Sequence, residues 1–171
     1  MDEGLLIIRL AFGLTLAAHG AQKLFGMFGG YGIAGTAGWL DSQGFRPGRA
    51  MAIAAGSAET FGGLALAAGL LVPFTAGAIV ATMIVAIWAV HRSAGFFSTN
   101  GGYELPLLIA AAALGIAATG PGALSVDAAL GFGQHGIGWA LVALGLGIFG
   151  AVPPLLTRAA SLQKAGSTVQ A

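Results

Sequence analysis

The feature that most constrains this chain is its longest stretch without any charged residue, which covers residues 60–90. At 1.5 Å per helical residue, this stretch is too long for one crossing of a ~30 Å hydrocarbon core. Gly69 and Pro73 divide it at a point where a turn between two antiparallel helices fits. The pattern therefore predicts two consecutive transmembrane helices, at about residues 50–71 and 74–90.

The remaining apolar segments predict up to three further spans. Charged residues make up 8% of the sequence, against about 25% in a soluble globular domain. Apolar runs of crossing length cover residues 5–25, 103–119 and 137–156. We expect Pro153 and Pro154 to end the last run and a polar tail to follow it. The sequence thus predicts an all-α integral membrane bundle of four to five transmembrane helices.

The charged residues between the spans predict an orientation. If five spans alternate in direction, one face collects the basic residues Lys23, Arg46, Arg49, Arg92, Arg158 and Lys164. The other face collects the acidic residues Asp2, Glu3 and Asp127. Because basic loop residues stay cytoplasmic, we expect a multi-pass protein of the inner cell membrane with its N-terminus outside and its C-terminus cytoplasmic. Arg9 falls near the acidic side, where we expect it to reach the outer head groups as an anchor, with an internal pair as the alternative.

Four ionisable residues are predicted to lie at membrane depth: His19, Lys23, Glu59 and Glu104. Charge within a bilayer is costly and is usually paired. The alternation of spans places all four in the cytoplasmic half, so Lys23 would pair with Glu59 or Glu104 while His19 exchanges protons. Such a pocket could bind a quinone head group, whose carbonyl oxygens need donors and whose reduction consumes protons. The alternative is an internal ion pair that only locks helices together.

Other kinds of site are excluded or disfavoured. The chain has no cysteine, which excludes thiol catalysis, iron–sulfur clusters and covalently attached haem. His19 and His91 could in principle ligate a haem, but His91 adjoins Arg92 at a span end, where a solvated histidine is typical, so we expect no haem. No basic run could neutralise a row of phosphates, so we expect no nucleic-acid partner. We also expect no metal site.

Three further features are predicted to be structural. Residues 30–35 match the pattern G-x-G-x-x-G, but they follow a membrane span and not a strand, so we interpret them as a glycine-rich loop. The connection at residues 26–49 is expected to include a short surface helix, with Trp39 and Phe45 as interfacial anchors. The segment from Ser125 to Asp127 is expected to cap a helix or turn.

The order and spacing of many of these residues resemble the DoxX family. The residues that carry the resemblance are Arg9, Gly13, His19-Gly20-Ala21-Gln22-Lys23-Leu24, Glu59, Gly62-Gly63, Gly69, Gly101-Gly102-Tyr103-Glu104, Gly120-Pro121-Gly122, Ser125 and Asp127. The resemblance implies a small four-helix membrane protein related to the DoxD-type subunit of membrane thiosulfate:quinone oxidoreductases. It also implies the ligand-pocket candidates His19, Gln22, Lys23, Glu59, Tyr103 and Glu104.

The resemblance divides the chain into a DoxX-like domain at residues 1–127 and an added segment at 128–171. We consider three functions for this chain. The first is a membrane subunit of a quinone-linked redox system that binds a quinone or similar apolar ligand and, lacking its own redox centre, needs a redox partner subunit. Whether the chain is itself an enzyme stays open. The second is a non-catalytic accessory or scaffold subunit of a larger membrane complex. The third is a small-solute transporter, although no inverted repeat is visible.

Overall fold

The chain folds into α-helices joined by short connections, and the computed structural model describes residues 2–169, which contain no strand. The helices are α1 (Asp2–Phe25), α2 (Gly32–Ser42), α3 (Gly48–Ala68), α4 (Val72–Ala86), α5 (Glu104–Thr119), α6 (Val126–Ala129) and α7 (Ile137–Val169). A π-helical turn extends α4 through His91, and a 3-10 turn extends it to Ala94. The predicted all-α membrane bundle is confirmed.

Four helical segments within the described residues are long and apolar enough to cross a bilayer. They are Asp2–Phe25, Gly48–Ala68, Val72–Ala94 and Ile137–Ser167. The helix α5 is also apolar, but its 16 residues give only about 24 Å of helix. It packs against α4 and α7, so it belongs to the same bundle. The chain is therefore a multi-pass membrane protein whose exposed apolar surfaces contact lipid.

The helix α7 continues through the two prolines, so the prediction that Pro153 and Pro154 end it is wrong. Each proline removes one backbone donor, and inside a bilayer no water competes for the remaining backbone groups, so helix is retained on both sides. The tail predicted to follow the prolines is part of the same helix, since residues 157–169 are helical. Arg158 holds this part of α7 against the α2–α3 connection by donating from Nε to the carbonyl oxygen of Gln43 at 2.9 Å. The last two residues of the chain lie outside the described residues.

The helices α1 and α3 pack through small residues. A Cβ added to Gly63 would lie 2.4 Å from the carbonyl oxygen of Gly13, and a Cβ added to Gly20 would lie 2.3 Å from Oγ1 of Thr60. No side chain fits at these positions, so the two backbones approach closely. Since Gly13 meets Gly63 and Gly20 meets Thr60, the two helices are antiparallel. We call this contact the α1–α3 seam.

The alternating long helices give the bundle two ends of opposite charge. The helices α4 and α7 are parallel, because Gly77 lies against Leu146 and Ala81 against Gly150. At the end where α1, α4 and α7 finish, called the basic end, the basic residues are Lys23, Arg46, Arg49, Arg92, Arg158 and Lys164. The opposite end, called the acidic end, carries Asp2, Glu3 and Asp127.

The apolar core lies around α4. Leu16 from α1, Ile79 from α4 and Ile116 from α5 are each no more than 3% exposed and belong to one buried cluster. A second cluster, formed by Leu40, Phe45 and Ala52, fixes the end of α2 on α3. This second cluster determines where α2 lies relative to the basic end, and so it helps to position the candidate site.

Candidate functional site

An ion pair joins α1 to α3 near the basic end. The Nζ atom of Lys23 donates to the Glu59 carboxylate across the α1–α3 seam. The Glu59 side chain is 9% exposed, whereas the Lys23 side chain is 29% exposed. Gly56 brings the two helices close at this level, since a Cβ added there would lie 3.3 Å from the Cβ of Lys23. The structure therefore forms the first of the two predicted pairings, with the carboxylate inside the bundle and the cation towards its surface.

A groove of about 540 Å³ opens beside Lys23. Its lining residues are Gln22, Lys23, Gly29, Gly30, Tyr31, Gly35, Thr36 and Trp39. Three of these are glycines, and a side chain at Gly30 would clash with the backbone of Gln22, so this connection packs closely on α1. The groove also offers two aromatic side chains, because Tyr31 is 85% exposed and Trp39 is 46% exposed. A ligand with acceptor oxygens could bind the Lys23 ammonium and place a flat ring against these aromatic groups.

The groove keeps its shape because α2 is tied to α1 at one side and to α3 at the other. The side-chain amide of Gln22 donates from Nε2 to the carbonyl oxygen of Phe28 at 3.1 Å. The hydroxyl of Thr36 donates to the carbonyl oxygen of Lys23 at 3.4 Å. At its other end, Asp41 accepts a 2.8 Å hydrogen bond from the backbone N–H that begins α3. The short surface helix expected in this connection is thus a wall of the groove.

Tyr103 and Glu104 lie in a different cluster, on the α4–α5 connection. The Glu104 carboxylate accepts hydrogen bonds from the backbone N–H and the hydroxyl of Ser98, both at 2.9 Å. The Tyr103 ring packs edge-on against Phe96 with 5.5 Å between centroids. The structure therefore does not bring Glu104 to Lys23. A carboxylate at the start of α5 has hydrogen-bond donors within the preceding connection, only six residues away. Pairing with Lys23 would instead require it to reach α1.

The histidines do not meet in one site. His19 lies one turn before Lys23 on α1 but is exposed, so its role in proton exchange stays a prediction. His91 ends the π-helical turn, and its Nδ1 lies 2.7 Å from the carbonyl oxygen of Gly101. Within residues 2–169, no group of three His, Cys, Asp or Glu side chains could hold a metal ion.

A buried charge lies at the acidic end, where the sequence left internal pairing of Arg9 as the alternative to a lipid anchor. Arg9 is 1% exposed, and its guanidinium donates to the carbonyl oxygens of Pro121 and Leu124. Asp127 attracts it electrostatically and is itself 0% exposed. The prediction that Arg9 anchors to lipid head groups is therefore wrong. The connection folds back over α1 and supplies acceptors inside the protein, so the guanidinium has no need to reach water.

Asp127 connects this cluster to the start of α4. Its carboxylate accepts hydrogen bonds from the backbone N–H groups of Leu71 at 2.8 Å and Val72 at 3.0 Å. Ser125 caps α6 by accepting from the backbone N–H of Ala128 at 3.1 Å, which confirms the predicted cap. The signal for this cluster was present in the sequence as an arginine within an apolar span. What the sequence lacked was the identity of its partners, which lie more than 100 residues away.

Comparison with known proteins identifies one family. A sequence profile of the DoxX family matches residues 4–92, which is 89 of the 171 residues. The match covers α1 to α4 and includes Lys23, Glu59 and every residue that lines the groove. It ends before Tyr103 and Glu104, so it is shorter than the resemblance seen over residues 5–127. Searches of curated proteins and of solved structures found no significant match.

Proposed function

The chain belongs to the DoxX family, and from that premise we propose that it is a small membrane subunit of a quinone-linked redox system. In this proposal a quinone or a similar apolar ligand binds in the groove beside Lys23. The observation that carries the proposal is the position of the Lys23–Glu59 pair, with its cation half-buried where the groove opens. A charge kept at membrane depth beside a space for a ligand is typical of a functional site.

The groove supplies the groups that a quinone head group requires. One quinone carbonyl oxygen would accept a hydrogen bond from the Lys23 ammonium, which also donates to the buried Glu59 carboxylate. Tyr31 and Trp39 would lie against the faces or edges of the ring. The isoprenoid tail would extend along the lipid-facing surface of the bundle. Lys23 could also give a proton to a reduced quinone oxygen, which leaves a neutral amine beside the Glu59 carboxylate until another proton is taken up.

The electrons must come from elsewhere. A chain without cysteine holds no iron–sulfur cluster, so a partner subunit would carry the redox centre and the quinone itself would supply the redox chemistry. The contribution of this chain is binding, orientation and proton delivery. The excess of basic residues at the groove end supports a cytoplasmic position for that end in the inner membrane.

Quinone-induced quenching of Trp39 fluorescence tests the proposal. The Trp88→Phe and Trp139→Phe changes leave Trp39 as the only tryptophan. We expect saturable quenching by a short-chain benzoquinone, and about tenfold weaker affinity after Lys23→Gln, because a hydrogen bond to a charged group is lost. The matched control is Arg46→Gln, which removes another cation of the basic end at a separate cavity. Absence of saturation, or equal losses in both variants, would contradict the proposal.

A second candidate function is a non-catalytic accessory subunit, and the α1–α3 seam favours it. Glu59 is buried between two tightly packed helices, which is also where a purely structural ion pair would lie. In that case, replacing both residues (Lys23→Met with Glu59→Leu) should damage the protein less than replacing either one. Assembly with a larger complex, and not quinone affinity, would then follow the substitutions.

A further inference from the structure

The helical extension of α4 and the connection that follows it display an arginine and three aromatic side chains at the basic end. The guanidinium of Arg92 lies 4.3 Å from the ring centroid of Trp88, which is a cation–π distance. Trp88 is 59% exposed, Phe96 is 45% exposed and Phe97 is 63% exposed. None of these residues lines the groove beside Lys23. We call these four residues the Arg92 patch.

The backbone under the Arg92 patch is held by hydrogen bonds. The N–H of Tyr103 donates to the carbonyl oxygen of Gly95 at 3.1 Å, and the N–H of Glu104 donates to that of Phe96 at 2.9 Å. Glu104 also fixes Ser98, as described above. The Phe96 and Phe97 rings pack edge-on with 5.3 Å between centroids. The patch is thus presented by an ordered backbone, which lowers the entropy lost when a ligand binds.

The positive charge of Arg92 favours binding of an anion from outside the protein. Each carboxylate of the basic half already has a donor: Glu59 has Lys23, Glu104 has Ser98, and Asp41 has the backbone N–H of Gly48. Among the described residues, no carboxylate pairs with Arg92. Its guanidinium is permanently charged and carries donors suited to phosphate oxygens. At the end of a membrane-spanning segment, the phosphates available in quantity belong to lipid head groups.

We propose that the Arg92 patch binds the head group of an anionic phospholipid. The guanidinium donates to the lipid phosphate while Trp88 holds it in place from below. The exposed Phe97 ring lies at the head-group level, where aromatic side chains are favoured. The six basic residues of this end add a general attraction for an anionic leaflet, and Arg92 adds a defined position for one lipid. This proposal is independent of quinone binding in the groove.

Lipid retention measured by native mass spectrometry tests the proposal. The full chain, purified in detergent, is titrated with phosphatidylglycerol or with phosphatidylcholine, and the bound lipid is counted. We expect phosphatidylglycerol to be retained preferentially and Arg92→Gln to weaken that retention about fivefold, with little effect on phosphatidylcholine. Trp88→Leu keeps the charge but loses the cation–π contact, and we expect a smaller loss. Helix content by circular dichroism confirms that each variant is folded.

The matched control is Arg49→Gln, which removes the same charge from an exposed position at the start of α3. A defined site predicts that Arg49→Gln retains nearly all of the bound phosphatidylglycerol. Equal losses in the Arg49 and Arg92 variants would overturn the proposal in favour of diffuse surface charge. No loss in the Arg92 variant would also overturn it, and so would displacement of the lipid by a protein partner that depends on Arg92.

Discussion

Arg9 at the acidic end and Lys23 at the basic end are both cations within α1, but their surroundings differ. Arg9 is 1% exposed and is surrounded by the carbonyl oxygens of the connection that folds over it. Lys23 has one carboxylate partner, keeps 29% of its side chain exposed and lies on the wall of a groove. One helix therefore carries a fully buried cation near its start and a partly exposed cation near its end.

The two cations differ in their partners. Arg9 donates to carbonyl oxygens of the main chain, whereas Lys23 donates to a side chain and also faces a groove. At the acidic end, the side chains of Arg9 and Asp127 together satisfy backbone groups of two connections. At the basic end, a groove opens next to the cation. Burial alone would favour Arg9 as the site, so the proposed site depends on the groove beside Lys23.

The largest expected effect comes from removing the arginine of the acidic end. Arg9→Met leaves Asp127 buried without its compensating charge and two carbonyl groups without donors. We expect the free energy of unfolding to fall by about 3–5 kcal/mol. Denaturation in detergent, followed by circular dichroism, measures this change. If Lys23→Met costs as much as Arg9→Met, the contrast between the two ends does not hold.

The next effect tests the α1–α3 seam that connects the two ends. Gly20→Ala places a Cβ 2.4 Å from the backbone nitrogen of Thr60, so the helices must separate. We expect a loss of about 3 kcal/mol in unfolding free energy, and weaker quinone binding because Lys23 and Glu59 move apart. Gly145→Ala is the control, since no atom lies within 4 Å of the added Cβ and helix propensity improves. A similar result for both alanines would contradict close packing at the seam.

A smaller effect is expected at the ion pair of the basic end. Glu59→Gln removes the charged partner of Lys23, but the ammonium can still reach water, so we expect a loss of only about 1–2 kcal/mol in unfolding free energy. Quinone affinity should fall more clearly than stability. The Trp39 quenching titration and the detergent denaturation, performed on the same sample, separate the two. A variant with normal quinone affinity and reduced stability would favour the accessory-subunit function.

The smallest effect is expected on the α4–α5 connection. Glu104→Gln weakens the hydrogen bonds from Ser98 in an exposed position, so we expect the smallest loss of stability of these substitutions. Quinone affinity should not change, because Glu104 does not contact Lys23. A loss of quinone affinity comparable to that of Glu59→Gln would mean that Glu104 moves to the groove when ligand binds.

Most of the fold could be predicted from the sequence. The turn between the two central spans, the apolar runs and the basic residues at alternate connections are local signals, and each matched a helix or a connection in the structure. The continuation of α7 through Pro153 and Pro154 could not be predicted from neighbouring residues. The rule that proline ends a helix holds in water, which competes for the backbone carbonyl groups that proline leaves without a donor.

The candidate site was only partly predictable. Lys23 and Glu59 were candidates because ionisable residues at membrane depth need partners, but the sequence left Glu104 as an equal choice. Gly20 and Gly56 decide between them, since they allow α3 and not α5 to approach α1 at this level. The groove lining depended on α2, whose position follows from contacts of Leu40 on α3.

By itself, the sequence determined that this protein is an all-α bundle in a bilayer, with four to five apolar helices, and that its basic residues gather at one end. These properties follow from the hydropathy and charge of neighbouring residues. The tertiary structure decided which carboxylate meets Lys23, where Arg9 finds its acceptors and where a groove remains open. Those contacts join residues 36 to 115 positions apart, and only the packing of whole helices brings such residues together.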